Sequence, residues 1–129
     1  MKFAKVVFWI AAIWGFLVLT PLYFMFDMIG RNGPPPITHP AFFYGFVGTA
    51  LVWQIVFILI ARDPVRLRPI MVLAVLEKCA YSIPAATLYI QHRLRSSDLV
   101  FPFVDILLGI LFVIAFVKTA DSPVSTAQL

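Results

Sequence analysis

The sequence predicts an all-α fold, an integral membrane bundle of four transmembrane helices. Of its 129 residues, 62% are hydrophobic and 12% are charged, and its mean hydropathy is +0.97. Soluble domains are about half apolar and about a quarter charged, so this composition excludes an ordinary water-soluble domain. Four apolar runs also come close to the ~20 residues that a helix needs to cross a bilayer. None of them alternates with the two-residue period of a barrel strand.

Residues 6–27 form the first predicted helix, which we expect to be retained in the protein. Its apolar run is longer than the ~7–15 residues of a cleaved signal peptide, and it lacks an Ala-x-Ala end. Pro21 should kink this helix near its outer end, because proline cannot donate the helical hydrogen bond. Residues 28–40 follow as a loop, in which three consecutive prolines exclude a helix.

The second and third helices are predicted over residues 41–61 and 70–91, and a tight basic connection joins them. Pro40 suits the first turn of the second helix, because an N–H at that position has no helical acceptor. The third helix is less uniformly apolar, since it contains the adjacent pair Glu77 and Lys78.

The fourth helix is predicted over residues 99–117 and contains Asp105. The four helices together make a single transmembrane domain, residues 1–118. The remaining residues, 119–129, are polar and are predicted to form a disordered tail. A chain this short has no room for a second domain.

The basic residues of the short connections predict a cytoplasmic N-terminus and a cytoplasmic C-terminus. With that orientation six basic residues lie inside and three outside, namely Lys2, Lys5, Arg62, Arg66, Arg68 and Lys118 against Arg31, Arg93 and Arg95. Arg62, Arg66 and Arg68 could also contact anionic lipid headgroups, although a role in topology alone would explain them. Because the net charge of +4 lies at the edges of apolar runs, we expect membrane lipids and no nucleic acid as partners.

The candidates for function are the polar side chains inside the apolar runs, since a charge at the bilayer centre costs at least ~2.5–3.5 kcal/mol. We expect ligand binding or a proton relay at Gln54, Glu77, Lys78, Tyr81 and Asp105. Glu77 and Tyr81 share a helix face, whereas Lys78 points about 100° away from Glu77. One hypothesis is a shared polar pocket for a lipid-like or quinone-like ligand or for a proton. The alternative is that Lys78 pairs with Asp105 or Glu77 only to fix the packing.

Motifs for metal binding, catalysis or cofactor binding do not accompany these side chains. The sequence has no HxH, CxxC or HExxH, and its one cysteine, Cys79, can form no internal disulfide. It also has no nucleophile elbow, P-loop or dinucleotide fingerprint. We therefore predict no cofactor, no metal and no catalytic residue.

Three short segments carry a resemblance to a known group of proteins. They are His39-Pro40-Ala41-Phe42-Phe43-Tyr44-Gly45, then Ala61-Arg62-Asp63-Pro64 with Arg66, Arg68 and Pro69, then Leu76-Glu77-Lys78. Together they resemble small bacterial four-helix membrane proteins in the broad neighbourhood of the DoxX-like group, over the helix order of most of the chain. The resemblance implies the bacterial inner membrane, and some DoxX-like proteins are associated with quinone-linked oxidoreductase complexes.

We expect a small integral membrane protein with an intramembrane polar patch. It would bind a hydrophobic small molecule or act as a subunit of a membrane complex. The alternatives are a proton-coupled small transporter that works as an oligomer, and an intramembrane enzyme. The acidic pair Glu77 and Asp105 is the feature on which all of them rest.

Overall fold

The fold is that of a computed structural model, which describes residues 2–120. Within those residues it is all-α and has no strand; its five α-helices are α1 (Lys2–Leu19), α2 (Phe26–Asn32), α3 (Pro40–Arg62), α4 (Arg68–Ile90) and α5 (Val100–Lys118). Short 3-10 segments extend α1 over Thr20–Phe24 and precede α5 over Ser96–Leu99. Counted with these extensions, four segments of 23 residues each are long and apolar enough to cross a membrane. The predicted all-α fold with four spans is confirmed.

The C-terminal part of the first span differs from a simple kinked helix. Regular α-helix ends at Leu19, and the chain continues as a 3-10 helix with Pro21 near its start. Proline removes one helical N–H donor at this point, which favours the change of helix type. A further short helix, α2, then occupies part of the predicted loop, where Asp27 in its first turn and Arg31 in its last suit the helix dipole.

The bounds of α3, α4 and α5 lie within two residues of the predicted ones, a normal uncertainty for helix ends. Pro40 begins α3 as expected, and α4 continues through Pro84. Thr119, the first residue of the predicted tail, is buried, and its hydroxyl donates to the Ala115 carbonyl at 2.9 Å. Ala120 donates its N–H to the Val117 carbonyl at 3.2 Å, and residues 121–129 of the predicted disordered tail lie outside the described residues.

The first span begins beside the point at which the last span ends. The ammonium of Lys118 lies 4.4 Å from the centre of the Phe3 ring, and Arg68 donates from Nε to the Phe116 carbonyl at 2.9 Å. This second contact satisfies one of the carbonyls that a helix leaves unpaired in its last turn. We call this end of the bundle the termini end, and the end that carries residues 33–39 and 91–95 the loop end.

The spans pack unevenly around the bundle. Helix α1 packs against α3 and α5, and α4 packs against α5, whereas the consecutive helices α3 and α4 touch each other little. Three fully buried rings fill the centre of the termini half, from Phe8 of α1, Phe57 of α3 and Phe112 of α5. Phe8 stacks on Phe112 with 4.3 Å between ring centres, and Phe57 meets Phe112 edge-on at 5.2 Å. We call these three residues the phenylalanine cluster.

Candidate functional site

A cavity of about 370 Å³ lies above the phenylalanine cluster, on the side of the loop end. Residues of all four spans line it, including all five candidates for ligand binding or a proton relay: Trp14, Gly15, Leu17, Val18, Leu19, Pro21, Leu22, Met25, Phe46, Ala50, Gln54, Glu77, Lys78, Tyr81, Phe101 and Asp105. Small-molecule sites typically measure about 300–1,000 Å³ and combine apolar walls with a few polar groups. The cavity has the size and the lining of such a site.

The charged part of the cavity consists of Lys78, Glu77 and Asp105, which we call the charged triad. The ammonium of Lys78 donates to an Asp105 carboxylate oxygen at 3.3 Å across the α4–α5 interface. It also lies 3.5 Å from a Glu77 carboxylate oxygen. Although the two residues diverge by about 100° around the helix, the long lysine side chain bends back toward its neighbour. Two carboxylates therefore share one buried ammonium.

Exposure within the triad is unequal. The side chain of Lys78 is 7% exposed, and those of Glu77 and Asp105 are 17% exposed. The ammonium also lies 5.2 Å from the centre of the Phe57 ring, so the phenylalanine cluster forms the floor beneath it. An ammonium over an aromatic face is stabilised by the ring quadrupole. The two carboxylates are consequently the charged groups that a ligand in the cavity would reach first.

Gln54 adds a polar group from α3 and is only 2% exposed. Its amide nitrogen donates to the Ala50 carbonyl at 2.8 Å, while its amide oxygen accepts no hydrogen bond from any described residue. Glu77 Oε2 is likewise buried, and its 3.5 Å contact with the Lys78 ammonium is not a well-formed hydrogen bond. Buried polar atoms are normally paired, so within residues 2–120 these two oxygens are unsatisfied acceptors, packed in the wall of the cavity with almost no accessible surface of their own.

Gly15 of α1 makes the room that Gln54 occupies. A Cβ atom built on Gly15 would overlap the side-chain amide of Gln54. Glycine allows this close approach between α1 and α3 in the way that small residues do at membrane helix interfaces. Sequence reasoning missed Gly15, because an isolated glycine in an apolar run carries no pattern that names its partner.

A groove of about 700 Å³ runs between α3 and α4, where these helices diverge. Its walls are mostly apolar and include Trp53, Leu73 and Leu76. Four residues line both the groove and the cavity, namely Phe46, Ala50, Glu77 and Tyr81. The groove and the cavity are therefore adjacent, with the Glu77 carboxylate and the Phe46–Tyr81 ring pair, 6.0 Å between centres, at their junction.

The three arginines predicted to contact anionic lipid lie at the termini end. Arg62 and Arg66 are exposed there. Arg68 is partly buried, because its guanidinium lies 3.7 Å from the centre of the Phe116 ring and bonds the Phe116 carbonyl. Lipid contact stays a prediction for all three, and for Arg68 the structure adds a role in holding α5.

Within residues 2–120, no group of three or more His, Cys, Asp or Glu side chains is placed to hold a metal ion. Trp14, Phe46 and Phe101 contribute aromatic side chains to the walls of the cavity. The sequence did not single them out, because aromatic residues are common in every span. In a sequence, an aromatic residue that lines a cavity cannot be distinguished from one that faces lipid.

Fold and site together define a small multi-pass membrane protein, all-α with four spans, that has a polar cavity inside its helical bundle. Comparison of the chain with protein-family models, with curated proteins and with solved structures finds no match.

Proposed function

We propose that the protein binds a small hydrophobic molecule with a polar end, in the cavity between its four spans. The observation that carries the proposal is the convergence of five polar candidates from α3, α4 and α5 on one cavity of suitable size. A merely structural ion pair needs Lys78 and one carboxylate, whereas here a second carboxylate, Tyr81 and Gln54 also line the cavity. The lipid-like or quinone-like compound expected from the polar side chains belongs to this class of ligand.

Copurification tests the proposal. The chain is purified in a mild detergent, extracted with organic solvent and analysed by mass spectrometry, and we expect one dominant amphiphilic compound. Ala50→Leu places a larger side chain where cavity and groove meet, and it should lower the amount of this compound severalfold. Ala86→Leu makes the same change at an exposed position of α4 and should leave it unchanged. Equal amounts in all three proteins, or no bound compound in any, would refute the proposal.

A proton-coupled small transporter that works as an oligomer is the second candidate. The observation that favours it is that two carboxylates share Lys78. Such a pair of carboxylates can release a proton when a cationic group binds. Proteoliposomes would then show substrate flux driven by a proton gradient, and Glu77→Gln would abolish it. A binding protein or a subunit of a membrane complex would show no such flux.

We also propose that the protein lies in the bacterial inner membrane with both ends in the cytoplasm. The adjacency of Phe3 and Lys118 supports an even number of spans, and the six-to-three distribution of basic residues favours the cytoplasm for the termini end. A C-terminal green fluorescent protein fusion should fluoresce, and a C-terminal alkaline phosphatase fusion should be inactive. Phosphatase inserted within residues 33–39 should be active. The reverse pattern would invert the orientation.

A further inference from the structure

We infer that the ligand is an amphiphile with an ammonium head, held in the cavity by the carboxylates of Glu77 and Asp105, and with an apolar tail in the groove between α3 and α4. This inference rests on the proposed binding function and narrows it to one class of compound. The groove between α3 and α4 would then bind the apolar tail of the same molecule.

The charge of the cavity is the first argument. Glu77 and Asp105 bring two carboxylates, and Lys78 brings one ammonium, so the ionised triad carries one surplus negative charge. Charges in a medium of low dielectric constant interact far more strongly than in water. A ligand that brings one positive charge neutralises the site, whereas a carboxylate or phosphate head would at least double the imbalance.

Hydrogen bonding is consistent with this charge. The ionised carboxylates of Glu77 and Asp105 line the cavity, are each 17% exposed and can only accept. Their shared donor is the Lys78 ammonium, at 3.5 Å from Glu77 and 3.3 Å from Asp105. The ammonium head of a ligand can donate to the exposed part of both carboxylates. A quinone has no donor for them and leaves the surplus negative charge uncompensated.

The walls of the cavity suit a cation as well. Trp14, Phe46, Tyr81 and Phe101 line it, and aromatic faces attract ammonium groups, most strongly where water is excluded. The same preference is visible within the protein, where the Lys78 ammonium lies over Phe57.

The adjacency of cavity and groove provides for the tail. Because Glu77 and Tyr81 line both, a molecule whose head bonds Glu77 can lay its tail between α3 and α4. That side of the bundle faces the bilayer, where Leu73 and Leu76 are about half exposed. An amphiphile can therefore reach the site sideways from the lipid, with its tail in apolar surroundings throughout.

Calorimetric titration in phosphatidylcholine nanodiscs tests this inference, with empty nanodiscs subtracted. The probes share a chain length and differ in the head: dodecylammonium, dodecanol and dodecanoate, with decylubiquinone as a fourth. We expect saturable binding of dodecylammonium, at least about tenfold tighter than that of the other three. Equal affinity for dodecanol, or tighter binding of dodecanoate or decylubiquinone, would overturn the ammonium head.

Variants locate the head group. Glu77→Gln keeps the shape of the side chain but removes its charge, and it should weaken dodecylammonium binding about tenfold or more. Asp105→Asn removes the second carboxylate and should also weaken binding. Asp27→Asn removes an exposed carboxylate of α2 and should have no effect. Unchanged affinity in Glu77→Gln would refute the inference, whatever the copurified compound.

The two proposals fail separately. If Ala50→Leu still loses a copurified compound while dodecylammonium does not bind, the protein has a ligand in the cavity and the ammonium class is wrong. If Ala50→Leu changes neither the copurified compounds nor the binding of any probe, the binding function itself is wrong.

Discussion

Replacing Lys78 with methionine is expected to lower the free energy of unfolding by about 3 kcal/mol. Methionine has nearly the same length, so packing against Phe57 changes little. The loss comes instead from the two carboxylates of Glu77 and Asp105, which remain in the bundle without their shared cation. Unfolding in mixed micelles of increasing sodium dodecyl sulfate content, followed by circular dichroism, measures the change.

A rescue experiment separates charge from packing. Lys78→Met combined with Glu77→Gln and Asp105→Asn has no unpaired charge, and it should recover most of the lost stability. Lys5→Met is the matched control, because this exposed lysine lies at the termini end and its loss should change stability by no more than about 0.5 kcal/mol. If Lys78→Met is no less stable than Lys5→Met, the triad does not hold α4 to α5.

Phe112→Ala should lower the free energy of unfolding by about 2–3 kcal/mol. We expect this loss even though the Phe112 ring can contact lipid instead when the helices separate. The side chain is fully buried and contacts rings of two other helices. Its removal leaves a cavity of about 100 Å³, and cavities cost about 24 cal/mol per Å³. The same unfolding assay applies.

Phe103→Ala is the control for this change, because it makes the same substitution on α5 at a ring that is 67% exposed toward the bilayer. It should alter the stability by less than about 0.5 kcal/mol. Similar losses in the two variants would mean that packing at the phenylalanine cluster contributes nothing specific. A loss in Phe112→Ala alone confirms that the termini half is held by its core.

The four spans were predictable because hydropathy acts on the whole length of a helix and does not depend on its neighbours. The candidates in α3, α4 and α5 were predictable for a related reason. A polar group inside an apolar run is costly unless another group meets it, so Glu77, Lys78 and Asp105 had to point toward one another or toward water. The structure places all three at the same cavity, while what they bind stays a proposal.

The remaining features depend on contacts between helices, which one sequence does not encode visibly. The role of Gly15 is apparent only from its contact with Gln54 on another helix. The ion pair between the neighbours Glu77 and Lys78 depends on how a flexible chain bends, and rotation about the helix alone argues against it. The groove between α3 and α4 arises because these helices, although consecutive, pack mainly against other partners.

The phenylalanine cluster has a consequence for permeation. It fills the bundle axis between the charged triad and the termini end, so among the described residues a molecule that reaches Lys78 finds rings beneath it. In this conformation, the cavity of a single copy opens toward the lipid and is closed by the phenylalanine cluster toward the termini end. Passage across the bilayer would require Phe8 and Phe112 to unstack, and a chain with that stacking locked would bind its ligand and never release it on the other side.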